Sequence, residues 1–171
     1  MSQQANHIWN ILATIPDPEI PAISITELGV IRQVEVKPLA CPPSPAQVAV
    51  VVTVTPTYSG CPAYDMMRMQ IRMALLQAGY KHIEIKQQLA PAWTTDWMTD
   101  AAKEKLRAYG IAPPLGLSKT LADLPLDQIT VPCPRCGSTN TQLVSQFSAT
   151  ACKAFFTCSQ CKEPFEHFKC H

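Results

Sequence analysis

The sequence predicts an α+β protein: a small two-layer α/β sandwich with a mixed sheet of about three strands, followed by a small β zinc ribbon. Three observations predict it. Up to about residue 110, stretches with apolar residues every three or four positions alternate with β-branched runs. From Ile111 to Val131 that pattern fades into the proline-bearing "APPLGLSKTLADLPLDQITVP". Beyond it, "CPRC" and "CSQC" stand 21 residues apart, a spacing that lets four thiolates converge on one ion. The expected division is therefore an α/β domain over 1–110, a linker over 111–130 and a four-cysteine ribbon over 131–171.

A first helix is expected over Asn6 to Thr14, where Ile8, Ile11, Leu12 and Ile15 recur at helical spacing. "IPDPEIP" then stops it, because three prolines in quick succession cannot continue a helix, and holds Asp17 and Glu19 in a rigid loop with their carboxylates side by side. "AISITELG" suits a short helical turn begun by Ser24 or Thr26 and ended by Gly29. "VIRQVEVK" predicts a strand whose alternation is interrupted at Arg32, and "QVAVVVTVT" a central, buried strand. "PLACPPSPA", with Cys41, connects them as a proline-rich hairpin loop. Pro62 to Ala78 predicts a helix ended by Gly79, "HIEIKQQLA" a strand, and "TDAAKEKLRAYG" a further helix capped by Thr99 and closed by Gly110.

Composition narrows the class. Apolar content of 47% and charged content of 16% belong to a globular chain. A net charge of +1 gives no long-range attraction for nucleic acid or an anionic membrane. No apolar run approaches the roughly 20 residues of a membrane span, and the first residues lack the basic and apolar regions of an export signal. A cytoplasmic location is expected. There the eight cysteines are better explained by metal ligation or thiol chemistry than by disulfides.

Cys133, Cys136, Cys158 and Cys161 are the expected metal ligands. A segment of about forty residues buries too little apolar surface to hold itself folded, so the metal must supply much of the folding free energy. Zinc is preferred for a closed, structural site, with a rubredoxin-like iron centre as the alternative. Cys152, Cys170, His167 and His171 could complete a second site, or Cys152 could simply pack in the ribbon core. Arg135, Lys153, Lys162 and Lys169 against Glu163 and Glu166 leave too little basic excess for nucleic acid, which favours a protein-docking ribbon.

The remaining chemistry centres on "TPTYSGCPAY". Cys61 is expected at the cap of the following helix, where free amides and the dipole would lower its thiol pKa; a small residue capping a helix is the plainer explanation. Thr55, Thr57, Tyr58 and Ser59 offer hydroxyls, and Gly60 permits close approach by a ligand. No acid, base and nucleophile set can be assembled around it. Along that helix Met66, Met69, Met73 and Leu76 form a stripe opposite the core-facing one, to be covered by another part of the chain or by a partner. Trp93 and Trp97, four apart, would share the face of a helical turn, packing on the core or on a partner.

"IPDPEIPAISITELGV" followed by "TPTYSGCPA" resembles the α/β domain shared by cytosolic and bacterial iron-sulfur assembly factors, in which the lone cysteine after the threonine-rich loop is the functional residue. "QLAPAWTTDWMT", "KLRAYGIAPP", "CPRCGS", "SATACKAFFTC" and "EPFEHFKC" extend the likeness over the whole chain to the D-subunit family of phenylacetyl-CoA epoxidases. The resemblance implies an accessory role in ring 1,2-epoxidation during aerobic phenylacetate catabolism. The oxygenase and reductase subunits would be its partners, since no E-x-x-H pair or dinucleotide loop is present here. It also implies Cys61 as a transient ligand of iron or an iron-sulfur cluster, supported by Thr55, Thr57, Ser59, Gly60, Asp17 and Glu19. Any missing ligands would come from a homodimer mate or a client. The alternative is a stoichiometric, non-catalytic docking subunit. Cys41 and His171 match no motif of the family.

Overall fold

The computed structural model describes residues 3–39, 47–116, 125 and 128–169. The expected loop around Cys41, half of the expected linker, and Cys170 and His171 lie outside them. The chain divides into two compact units, Met1–Trp93 and Thr94–His171.

The first unit follows the expected alternation. Helix α1 (Gln3–Ala13) buries Ala5, Ile8 and Leu12. Its sheet has the order β1 (Ile31–Pro38), β2 (Val48–Val54), β3 (His82–Gln87), with β1 antiparallel and β3 parallel to β2. The sheet is thus mixed and three-stranded. Central β2 is buried nearly throughout, as its unbroken β-branched run requires. Helix α2 (Ala63–Gln77) connects β2 to β3 and buries Ala63, Met67, Ile71 and Leu75. Arg32 breaks the alternation of β1 because the register slips there: Ile31 pairs with Val54 but Gln33 with Thr53, leaving Arg32 as a bulge.

The proline loop is tightly fixed. The Asp17 and Ile25 amides donate to the Ile23 and Ile15 carbonyls at 2.8 and 3.0 Å, over a floor of Ile20, Ile23 and Ile25. Ser24 opens the next turn, and its reciprocal bonds with Glu27, amide to carboxylate at 2.9 Å and amide to hydroxyl at 3.2 Å, form a capping box. The opposite face of α2 carries Met66, Met69, Met73 and Leu76, all exposed. Trp93 does not cover it: its indole donates to the Leu28 carbonyl at 3.1 Å, inside the core.

In the second unit Thr99 accepts from the Ala102 amide and starts α3 (Asp100–Tyr109), and Gly110, at φ 95°, ends it. That left-handed residue turns the chain straight into β4 (Ile111–Ala112). A second mixed sheet runs β4, β7 (Pro164–Phe168), β6 (Lys153–Cys158), β5 (Thr141–Ser145). Its core holds Ala112, Val131, Cys133, Ala154, Phe156, Cys158 and Phe165.

Two expectations change here. Ile111 and Ala112, expected at the start of the linker, are strand, because their pairing with Glu166 and His167 ties them to the ribbon sheet. The tryptophans share no helical face: the turn spans only Thr95–Trp97, since Thr94 is extended and caps it by accepting from the Asp96 amide.

Candidate functional site

The ribbon site is built from two similar knuckles. In the first, the Gly137 amide donates to the Cys133 carbonyl, and in the second the Lys162 amide donates to the Cys158 carbonyl, both at 2.9 Å. The residue after each second cysteine is left-handed, Gly137 at φ 75° and Lys162 at φ 65°. That curl aims amides at the sulfurs: Ser138 donates to Cys136, and Gln160 and Cys161 to Cys158. All four Sγ atoms lie within 4.8 Å of one another, with 3.8 Å between Cys133 and Cys161 and 3.6 Å between Cys136 and Cys158. A tetrahedral ion with metal–sulfur bonds of about 2.3 Å sets its sulfurs about 3.8 Å apart, so the quartet has the size of a closed four-thiolate centre.

The thiols also sort by acidity. The Cys161 amide, against burial and with help from Gln160, holds Cys158 down to about 6. Cys136 is pushed up to about 12, its Ser138 amide bond outweighed by burial and the neighbouring sulfurs. A bound cation removes the reason for this spread, because it stabilises four thiolates together.

Of the leftover residues, the two described ones, Cys152 and His167, do not join the quartet. Cys152 is buried, with its sulfur 3.1 Å from the Thr150 hydroxyl. His167 is buried with Nδ1 3.2 Å from the Ala112 carbonyl and its ring edge-on to Phe156. Burial pushes its pKa down to about 4, against the Ala112 bond and with Lys169 adding to the fall. The unfolded imidazole takes a proton near 6.5. Folding stability therefore declines as pH falls from about 6.5 toward 4, by about 3 kcal/mol in all. In the metal-loaded protein the His167 imidazole resonances should hardly move between about pH 7 and 5; a midpoint near the unfolded value would contradict this.

At the other site β2 ends at Val54, and the Thr55 amide still donates to Val30 at 2.8 Å. Thr55 is 1% exposed and its hydroxyl has no hydrogen-bond partner. It lines a cavity of about 200 Å³ with Thr57, Tyr58, Ser59, Leu89 and Trp93. The loop closes through the Cys61 amide on the Tyr58 carbonyl and the Tyr64 amide on the Cys61 carbonyl, each at 3.2 Å.

Cys61 is half-buried, and Ser59 and Gly60 beside it are exposed. Apart from its chain neighbours, a methyl group at Gly60 would meet no atom within 4 Å, so the space beside this residue is open. Asp17 and Glu19 act on the sulfur through their charge. The Asp17 carboxylate is buried and accepts the Glu19 and Ile20 amides at 2.9 and 2.8 Å. The structure thus brings the proline loop and the threonine loop together around Cys61.

Two details of that site differ from expectation. The capping position of α2 is Pro62, one residue beyond Cys61. The thiol pKa is raised, not lowered: burial contributes most, and Glu19 and Asp17 add to it, outweighing the Ala63 amide and the Thr57 hydroxyl. The helix terminus does donate to the sulfur, but two carboxylates stand against the anion. The surroundings therefore favour the neutral thiol over the thiolate. Among the described residues, only the ribbon quartet gathers three or more cysteine, histidine or carboxylate ligands close enough to share an ion. Cys61 supplies a single sulfur.

Over 167 residues the chain is 47% identical to a protein of Escherichia coli (strain K12) provisionally named as the D subunit of 1,2-phenylacetyl-CoA epoxidase, covering 98% of this chain and 93% of that one. The chain belongs to the D-subunit family of phenylacetyl-CoA epoxidases. In keeping with membership of that family, residues 119–169 match the PaaD zinc beta ribbon domain and residues 6–86 match the iron-sulfur cluster assembly protein family. A Porphyromonas gingivalis protein named Fe-S protein maturation auxiliary factor is 33% identical over 105 residues, 61% of this chain and 91% of its own. A crystal structure of a domain of unknown function, DUF59, from Bacillus anthracis is similar in fold, with a TM-score of 0.52 and 24% identity over 60% of this chain and 90% of that one. Among the described residues no helix is long and apolar enough to cross a membrane.

The sequence singled out both cysteine sites, and the family resemblance set Asp17 and Glu19 with Cys61, but the upward shift of the thiol and the second left-handed turn of the ribbon were missed. Gly137 is visible as a glycine after "CPRC", whereas nothing in the sequence marks Lys162 as its left-handed counterpart. The approach of Asp17 and Glu19 to Cys61 joins segments more than forty residues apart, which no local pattern encodes.

Proposed function

We propose that this protein is an accessory component of a multicomponent phenylacetyl-CoA epoxidase, and that it assists assembly or maintenance of the iron or iron-sulfur centres of the oxygenase or reductase subunits, with Cys61 as a transient ligand and zinc as the structural metal of the ribbon. The name of the E. coli relative supports the first part, and that of the P. gingivalis relative the second.

The observation that carries the reading is the half-buried Cys61 thiol, next to the open space at Gly60 and under two carboxylates. Such a thiol keeps its proton at rest. A thiol must lose that proton to bind a metal, and each pKa unit above the ambient pH costs about 1.4 kcal/mol of affinity. Asp17 and Glu19 draw a cation in and balance its charge once the sulfur is anionic. Reprotonation then favours release, so the site suits passing a metal on more than keeping it. Thr55, Thr57 and Ser59 offer hydroxyls to whatever accompanies the metal.

The test is to produce the other epoxidase components together with the wild-type chain or with Cys61→Ser, and to measure their iron content and epoxidation. The variant should lower both at least about tenfold, the size expected when an essential metal ligand is lost. Unchanged iron and activity, with the chain still co-purifying, would instead make it a stoichiometric docking subunit. Elemental analysis of the ribbon should find zinc at one ion per chain in both proteins.

A further inference from the structure

Met66, Met69, Met73 and Leu76 are 48, 57, 51 and 44% exposed and follow one another at intervals of three, four and three residues. This is the a and d spacing of a two-helix seam. In that notation Asp65 and Arg72 occupy g positions on one edge, and Gln70 and Gln77 occupy e positions on the other.

Two copies of α2 laid antiparallel set each a residue against a d residue, Met66 opposite Leu76 and Met69 opposite Met73 of the second copy. Antiparallel seams bring g against g and e against e. Asp65 of each copy then lies beside Arg72 of the other, and Gln70 beside Gln77, every contact occurring twice by symmetry. A parallel pair would instead set Asp65 and Arg72 against glutamines and form no ion pair. Charge complementarity therefore selects both the occupant and the direction.

The groups concerned are available. Arg72 has no ion pair among the described residues, and Asp65 has an exposed one to Arg68 at 3.3 Å. We propose that the outer face of α2 is a homodimer interface, in which the methionine stripes of two antiparallel α2 helices pack together and Asp65 pairs with Arg72 across the two-fold axis.

Helix α2 has 15 residues, about 22 Å of seam. That is short for a permanent interface, so association in the micromolar range is expected. The geometry has a consequence for Cys61. Antiparallel helices carry their N-termini to opposite ends, which separates the two thiols by about 30 Å along the axis. No ion can bridge them, so any further ligands at Cys61 must come from a client and not from the second copy.

Sedimentation of the full, metal-loaded chain in reductant, from about 1 to 200 µM, tests this. The mass should rise from monomer to dimer across that range. Arg72→Asp, which changes only an exposed side chain, should weaken association about tenfold by turning two attractions into repulsions. Adding Asp65→Arg to the same chain should restore it, and Met69→Glu should abolish it. A monomer throughout, or a dimer that ignores Arg72→Asp or is not rescued by the second change, would overturn the proposal.

Discussion

Stripping the metal from Cys133, Cys136, Cys158 and Cys161 is expected to unfold the sheet formed by β4 to β7. The apolar core of that sheet is a small cluster in which two of the buried members, Cys133 and Cys158, are themselves ligands. Without an ion they become two thiols beside two more, with acidities pulled apart. A structural zinc in a four-thiolate site supplies about 10 to 16 kcal/mol at neutral pH. Whole domains are stable by only about 5 to 15 kcal/mol. Chelation, or Cys158→Ala, should therefore collapse the dispersed amide resonances of residues 128–169. For the chelated protein, added zinc should bring them back. A ribbon that stays folded with no bound metal would show that its packing alone suffices.

The second large effect is expected on the other face of the same sheet. Lys153 is 4% exposed, and its ammonium lies 2.6 Å from Glu166 Oε2. The Ser148 hydroxyl donates to the other oxygen of that carboxylate. Burial alone would raise the Glu166 pKa, but the Lys153 and Ser148 bonds bring it below the usual carboxylate range. Removing one partner of such a pair strands a charge away from water. Glu166→Ala should thus cost about 3 to 5 kcal/mol, whereas replacing both residues by apolar ones of similar size, Lys153→Met with Glu166→Leu, should come close to neutral. Denaturant titration of the metal-loaded chain distinguishes the two. A mild Glu166→Ala would mean that water reaches the ammonium.

Much of this was legible in the sequence because it is local. Two C-x-x-C pairs bring their sulfurs together whatever surrounds them, and the β-branched run of β2 declared a central strand before its neighbours were known. Thr99 and Gly110 marked both ends of α3. The break at Arg32 was visible as an interruption, although only the register shows it to be a bulge. What stayed hidden depends on distance along the chain. Burial of the Cys61 thiol, with the charges of Glu19 and Asp17 added to it, reverses the acidity that a helix start alone would give, and those charges come from a loop distant in sequence. The buried pair of Lys153 and Glu166 reads in sequence as two ordinary surface charges. Strand β4 stayed hidden for a related reason: two residues of strand are too short to show periodicity, and only their pairing partners reveal it.

That short strand has a further consequence. Residues 111 and 112 run alongside β7 and occupy hydrogen-bonding groups that would otherwise form an open sheet margin, and the Ala112 carbonyl meets His167 as well. The metal-binding motif begins some twenty residues later, yet the middle of this margin, at Glu166 and His167, is covered from upstream. A protein cut between the two would keep its four clustered cysteines and expose a bare edge, the template on which strands of separate molecules add to one another. The two residues after Gly110 are thus a guard against aggregation, placed outside the motif they protect.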